Sequence, residues 1–155
     1  MFFGEYQYKV DEKGRLPLPP KFRREMREAV ILTKGTEKCI IAYPPTEWKR
    51  LADSLAAKAI TPANLRKLHR AIFGSAFSVS LDKQGRIPLP FPLRGYAEIG
   101  DIVVVVGANN YVELWNEELW QTEKTSAEEQ ASQIIEGFSE KLWKGEKTSA
   151  EEQAS

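Results

Sequence analysis

Asp11–Arg23 reads DEKGRLPLPPKFR and Asp82–Arg94 reads DKQGRIPLPFPLR, and at an offset of 71 the two stretches agree at 7 of 13 positions. Agreement of that density marks an internal repeat, which decides the architecture before any other signal. Upstream, Tyr6, Tyr8 and Val10 answer to Phe77, Val79 and Leu81, an apolar alternation of period two that predicts a strand in each copy. Downstream, with one residue inserted, Ile31-Leu32 answers to Val103-Val104, Gly35 to Gly107, Cys39–Tyr43 to Tyr111–Trp115 and Trp48 to Trp120. The chain is two copies of one unit.

Each unit reads as a strand, a tight turn, a short strand, a brief helical piece and a second hairpin. In Asp11-Glu12-Lys13-Gly14-Arg15 the glycine can take a positive φ and the aspartate can accept amides across the turn, which predicts a pinned hairpin tip; Asp82 and Gly85 repeat it. The prolines of Leu16–Pro19 cannot donate to a ladder and belong at a sheet edge or a strand end. Phe22 and Met26, four apart in 21–28, predict about two helical turns. Val30–Thr33 with Cys39–Tyr43 forms the second hairpin, matched by Ile102–Val106 with Tyr111–Trp115 around Asn109-Asn110.

Two helices are expected between the copies. One opens at Pro44-Pro45-Thr46 with Trp48, Leu51, Ala52, Leu55 and Ala59 on one face; the other opens at Thr61-Pro62 with Leu65, Leu68 and Ile72 inward, and both should cover the sheet. A third helix is expected to begin at the capping box Ser126–Glu129, to carry the stripe Ala131, Ile134, Ile135, Phe138 and Leu142, and to end near Gly145. Leu119–Ser132 recurs as Leu142–Ser155 at 12 of 14 positions. That second duplication reads as an acidic, disordered tail without a role. The division is therefore 1–60 first repeat with helix, 61–72 connecting helix, 73–120 second repeat, 121–145 C-terminal helix and 146–155 tail, in an α+β fold.

Composition narrows the function. The 155 residues carry 22 Lys and Arg against 22 Asp and Glu, but residues 1–100 hold 18 basic and 10 acidic groups (+8) and residues 101–155 hold 4 and 12 (−8). A basic body with an acidic end suits a nucleic-acid face. One cysteine allows no internal disulfide, and neither a secretory signal nor an apolar run long enough to span a bilayer is visible, so a soluble cytoplasmic protein with no membrane partner is expected. One histidine (His69) and one cysteine (Cys39) cannot supply a structural zinc site, no phosphate-cradling glycine motif occurs, and nothing orients a Cys39/His69 pair for nucleophilic chemistry. Neither an enzyme nor a cofactor, a metal or a small-molecule substrate is expected.

What remains is the doubled D-x-x-G-R. The aspartates and arginines could pair across each turn and simply fix the hairpins. The same pairing could orient Arg15 and Arg86 so that each fork meets guanine O6/N7 or a phosphate, since a two-stranded tip fits the major groove. Lys13 and Lys83 lie on these tips, and Lys9, Lys21, Arg23 and Arg24 on or near them, where they could neutralise phosphates.

Together GEYQYKVDEKGRLPLPPKFR, LDKQGRIPLPFPLR and VVVVGANNYVELWNEELW resemble the MraZ family of bacterial transcriptional regulators, over about residues 1–143, with a D-x-x-x-R motif in each of two tandem repeats. The resemblance implies an AbrB-like swapped-hairpin fold, in which two half-units on one chain interleave into a small β-barrel covered by short helices. It also implies ring-shaped homo-oligomers, a nucleoid location, and binding to direct repeats in the protein's own promoter, upstream of the division and cell-wall genes. The motif residues carried over are Asp11, Arg15, Asp82 and Arg86; Lys13 matches the usual basic residue of the first turn, and Lys83 stands in the more variable second. The repeated EKTSAEEQAS falls outside the family pattern. The alternative is a structural or protein-interaction module whose D-x-x-x-R pairs are architectural.

Overall fold

The computed structural model describes the backbone of residues 1–57 and 60–154 and the side chains of 1–57 and 60–139. Ala59 and Leu142, assigned above to helix stripes, lie outside the described side chains. The chain divides into two compact units, Met1–Leu119 and Trp120–Ser155.

The first unit is α+β. The first copy supplies β1 (Glu5–Lys9), β2 (Arg15–Pro17), β3 (Val30–Lys34) and β4 (Ile40–Tyr43), and the second supplies β5 (Phe77–Val79), β6 (Arg86–Pro88), β7 (Ile102–Gly107) and β8 (Val112–Asn116). The main sheet runs β1-β7-β8-β4-β3-β5, antiparallel throughout, and β2 pairs with β6 in a separate ribbon. Exchanging the copies reverses this order onto itself. Each copy's first strand therefore pairs with the other copy's second hairpin, the interleaving expected of swapped half-units. No ladder joins β1 to β5 among the described residues, so the sheet is not closed into the predicted barrel by backbone pairing.

Pairing corrects the repeat alignment by one residue. Tyr8 stands opposite Val103, and its equivalent Val79 stands opposite Val30, so Val30 and Leu32 correspond to Val103 and Val105, and Ile31-Leu32 does not answer to Val103-Val104. Side chains alternate along a strand, so a one-residue slip would turn the inward set outward; Val30, Leu32, Val103 and Val105 are all fully buried.

The core follows the internal symmetry. Leu16 and Ile87 face each other at the centre of the ribbon, and with them Leu18 and Leu89, Phe22 and Leu93, and Met26 and Ala97 are buried as equivalent pairs. The prolines sit at the ends of three-residue strands, where a missing N–H is tolerated. Pro20–Phe22 is one 3-10 turn rather than two helical turns: Phe22 and Arg23 donate to the carbonyls of Pro19 and Pro20. Phe22 and Met26 are nonetheless both buried, so their spacing records burial and not α-helical bonding. The second copy has a short helix there, α3 (Phe91–Tyr96).

Helices α1 (Pro45–Ala57) and α2 (Pro62–Ile72) lie between the copies, and the Thr61 side chain accepts the Asn64 N–H at 3.2 Å as an N-cap. They cover the sheet less completely than expected. No side chain on either is fully buried; the predicted apolar faces are half-buried, and Thr33 on β3 donates to the Ile72 carbonyl at 3.1 Å.

Helix α4 runs Glu117–Ala154. It starts nine residues before the predicted box because Asn116 Oδ1 accepts the N–H groups of Glu118 (2.8 Å) and Leu119 (3.0 Å), a better-placed cap that leaves Ser126–Glu129 inside the helix. It also continues through Gly145, since one glycine costs only about 1 kcal/mol among Ala, Glu, Gln and Lys. In the second unit Ile134, Ile135 and Phe138 are exposed. No helix among the described residues is long and apolar enough to cross a membrane.

Candidate nucleic-acid interface

Each D-x-x-x-R turn is built by its aspartate. Asp11 Oδ1 accepts the backbone N–H groups of Lys13 and Arg15, both at 2.9 Å, while Oδ2 accepts Arg15 Nε at 2.7 Å. Asp82 repeats this with Gln84 and Arg86 at 2.9 Å and Arg86 Nε at 2.8 Å. Gly14 and Gly85 sit at φ of 75° and 76°, which a side chain would resist, and each donates its N–H back to the aspartate carbonyl at 3.0 Å. The two turns are equivalent in every one of these bonds.

The ribbon brings them together. Arg15 stands opposite Pro88 and Pro17 opposite Arg86. Arg86 reaches across the copies, its Nη1 lying 3.5 Å from Asp11 Oδ2, so Asp82, Arg86, Asp11 and Arg15 form one line of alternating charge. Arg15 does not return the contact to Asp82 among the described residues. Both arginines are bound through Nε and remain partly exposed, 32% for Arg15 and 23% for Arg86, which is the geometry of an oriented fork and not of a buried ion pair.

Charge keeps the turns set. The Asp11 carboxyl is held below its ordinary pKa first by the backbone N–H of Arg15, then by the Arg15 guanidinium and the Lys13 N–H, against an opposing effect of burial; Asp82 is held down in the same way by Arg86 and Gln84. For a carboxyl depressed in the folded state, the stabilisation is present above the ordinary carboxylate range, about 4, and is lost as pH falls through the lower folded value. Titrating the two side-chain carboxyl resonances should therefore show both aspartates ionised from pH 8 down past 5, with turn order lost only in stronger acid. A midpoint above the ordinary range at either residue would contradict this account.

The other expected residues sort by place. Lys13 and Lys83 are exposed on the tips, Lys9 is exposed at the end of β1, and Lys21 is exposed on the 3-10 turn. Arg24 is exposed too, but it lines an open cleft with Glu25, Arg27, Glu28, Pro45 and Thr46, a mixed-charge grouping separate from the turns. Arg23 is half-buried and donates from Nε to the Leu18 carbonyl at 3.0 Å. Arg94, which the sequence reading left without a role, packs its guanidinium on Gly14. Its signal was available: Arg23 and Arg94 are the closing identity of the repeat. Cys39 is fully buried, His69 is exposed with its ring edge-on to Phe73, and no metal-holding cluster occurs among the described residues.

Fold and site define a class: a single chain of two swapped-hairpin half-units that carries two facing D-x-x-x-R turns on one ribbon. A family model described as "MraZ protein, putative antitoxin-like" matches twice, over residues 1–70 and 72–138. A protein of Dehalococcoides mccartyi called transcriptional regulator MraZ is 54% identical over 137 residues, covering 88% of this chain and 96% of its own. Proteins of the same name from Herpetosiphon aurantiacus (43%; 88% of this chain, 95% of its own) and Halothermothrix orenii (41%; 86% and 94%) are also similar. The chain belongs to the MraZ family.

Proposed function

We propose that this protein is a DNA-binding transcription regulator and not an enzyme, acting in the cytoplasm at the nucleoid. The observation that carries the proposal is the doubled turn: two aspartate-oriented, partly exposed guanidinium forks on one ribbon, each with a lysine on the same tip. Such forks suit guanine edges and phosphates, and the +8 of residues 1–100 supplies sequence-independent attraction. The names of the similar proteins support the same reading. We further propose that protomers form a ring that binds direct repeats upstream of the protein's own gene, in the division and cell-wall cluster.

Footprinting on that upstream DNA, with affinity followed against salt, tests the proposal. A protected set of direct repeats is expected. Lys13→Ala with Lys83→Ala should reduce the slope of log affinity against log salt by about 1 per lysine, on specific and unrelated duplexes alike. An unchanged slope would remove these lysines from the interface. No binding at low salt would leave the interaction module, with the D-x-x-x-R pairs purely architectural.

A further inference from the structure

The turn glycines are buried although Lys13 and Gln84 beside them are exposed, and what covers each glycine comes from the other copy. The Arg94 guanidinium lies against Gly14, where a Cβ would stand 3.0 Å from Nη1 and 3.2 Å from Cζ. Arg23 lies against Gly85 more closely still, so that a Cβ there would collide with its Nε and Cζ. The backbone makes the same exchange: Leu89 N–H donates to the Gly14 carbonyl at 2.9 Å, and Leu18 N–H to the Gly85 carbonyl at 3.0 Å.

Neither arginine is in an ion pair among the described residues. Arg23 is fixed by its bond to the Leu18 carbonyl; Arg94 has its Nε buried without an acceptor among the described residues and its guanidinium 5.4 Å from the Phe91 ring centroid. A planar guanidinium can lie flat on a bare glycine, which a lysine ammonium cannot do. Glycine is also the turn residue with the most backbone freedom to lose, so covering it restrains the whole turn.

We propose that Arg94 and Arg23 are positioning residues acting across the repeat: Arg94 sets the turn 11–15 and Arg23 sets the turn 82–86. Each copy thereby orients the other copy's D-x-x-x-R fork. The consequence for DNA affinity rests on the function proposed above, whereas the consequence for the turns does not.

Amide hydrogen exchange on the full chain without DNA reads the turns directly. Arg94→Lys should speed exchange at Lys13 and Arg15 by about tenfold and leave Gln84 and Arg86 unchanged, and Arg23→Lys should do the reverse. Arg94→Gln, which is neutral, should behave like Arg94→Lys, with global melting nearly unmoved in each. On a duplex taken from immediately upstream of the gene, Arg94→Lys should weaken binding about fivefold alone, keep part of that effect in an Arg86→Ala background, and add little to Arg15→Ala. Faster exchange in a variant's own copy, or equally in both turns, overturns the proposal. So does a lysine variant that binds like the parent while Arg94→Ala does not, because that pattern marks a phosphate contact. If Arg15→Ala leaves binding intact, the reading of Arg15 as a fork on DNA fails, and the exchange pattern still decides this one.

Discussion

Arg86→Ala is expected to weaken binding to the upstream duplex more than Arg15→Ala does, although the two residues occupy equivalent places. Loss of one fork from a base edge or phosphate costs about 1–3 kcal/mol, and Arg15→Ala removes that alone. Arg86 also approaches Asp11 at 3.5 Å, so its removal takes away one fork and strips a partner from the carboxylate that orients the other, Arg15. Melting should change little in either variant, because partly exposed ion pairs contribute about 0–1 kcal/mol. Filter binding at one fixed salt concentration, alongside thermal melting, measures both quantities. Equal losses would mean that the 3.5 Å approach carries no coupling, and a variant that unfolds but binds normally while folded would make the motif architectural.

Much of this arrangement was legible in the residues, for a physical reason. Turn chemistry is local: Asp11 and Gly14 state the conformation within five residues, and the second copy states it again. Strand pairing is not local. Period-two alternation in Tyr6–Val10 says that the segment is a strand with one buried face, but not that its partner is β7 of the other copy. The one-residue register error arose in the same way, because Ile31 and Val104 are as apolar as the inward Val30 and Val103, and only pairing distinguishes them. The place of Arg94 is not legible locally because it packs on Gly14, a residue 80 positions away that has no side chain to advertise a contact. The cap at Asn116 lost to a better-looking box because Ser126–Glu129 satisfies a pattern, whereas the cap is decided by where the strand before it ends.

Inserting half a helical turn of DNA, about 5 base pairs, between two repeats is expected to cost more affinity than inserting a whole turn. The proposed ring supplies the reason. Inside one protomer the copies already face each other across β2 and β6, so the two-fold contact is satisfied within the chain and protomers must join through other surfaces. Those surfaces are unlike, since α1 and α2 separate the first copy from the second while α4 follows the second, and Arg86 bridges the turns where Arg15 does not. Unlike surfaces join head-to-tail and leave successive tips in the same orientation, which selects direct repeats over a palindrome. A half-turn insertion rotates one repeat to the far side of the duplex, and the bivalent gain, on the order of 10²-fold, is lost. A whole turn restores the face and costs only the added span. Sedimentation should show a species well above a dimer under the same conditions. Equal losses for the two insertions, or a monomer occupying an inverted repeat, would break the link between the unlike flanks and the DNA.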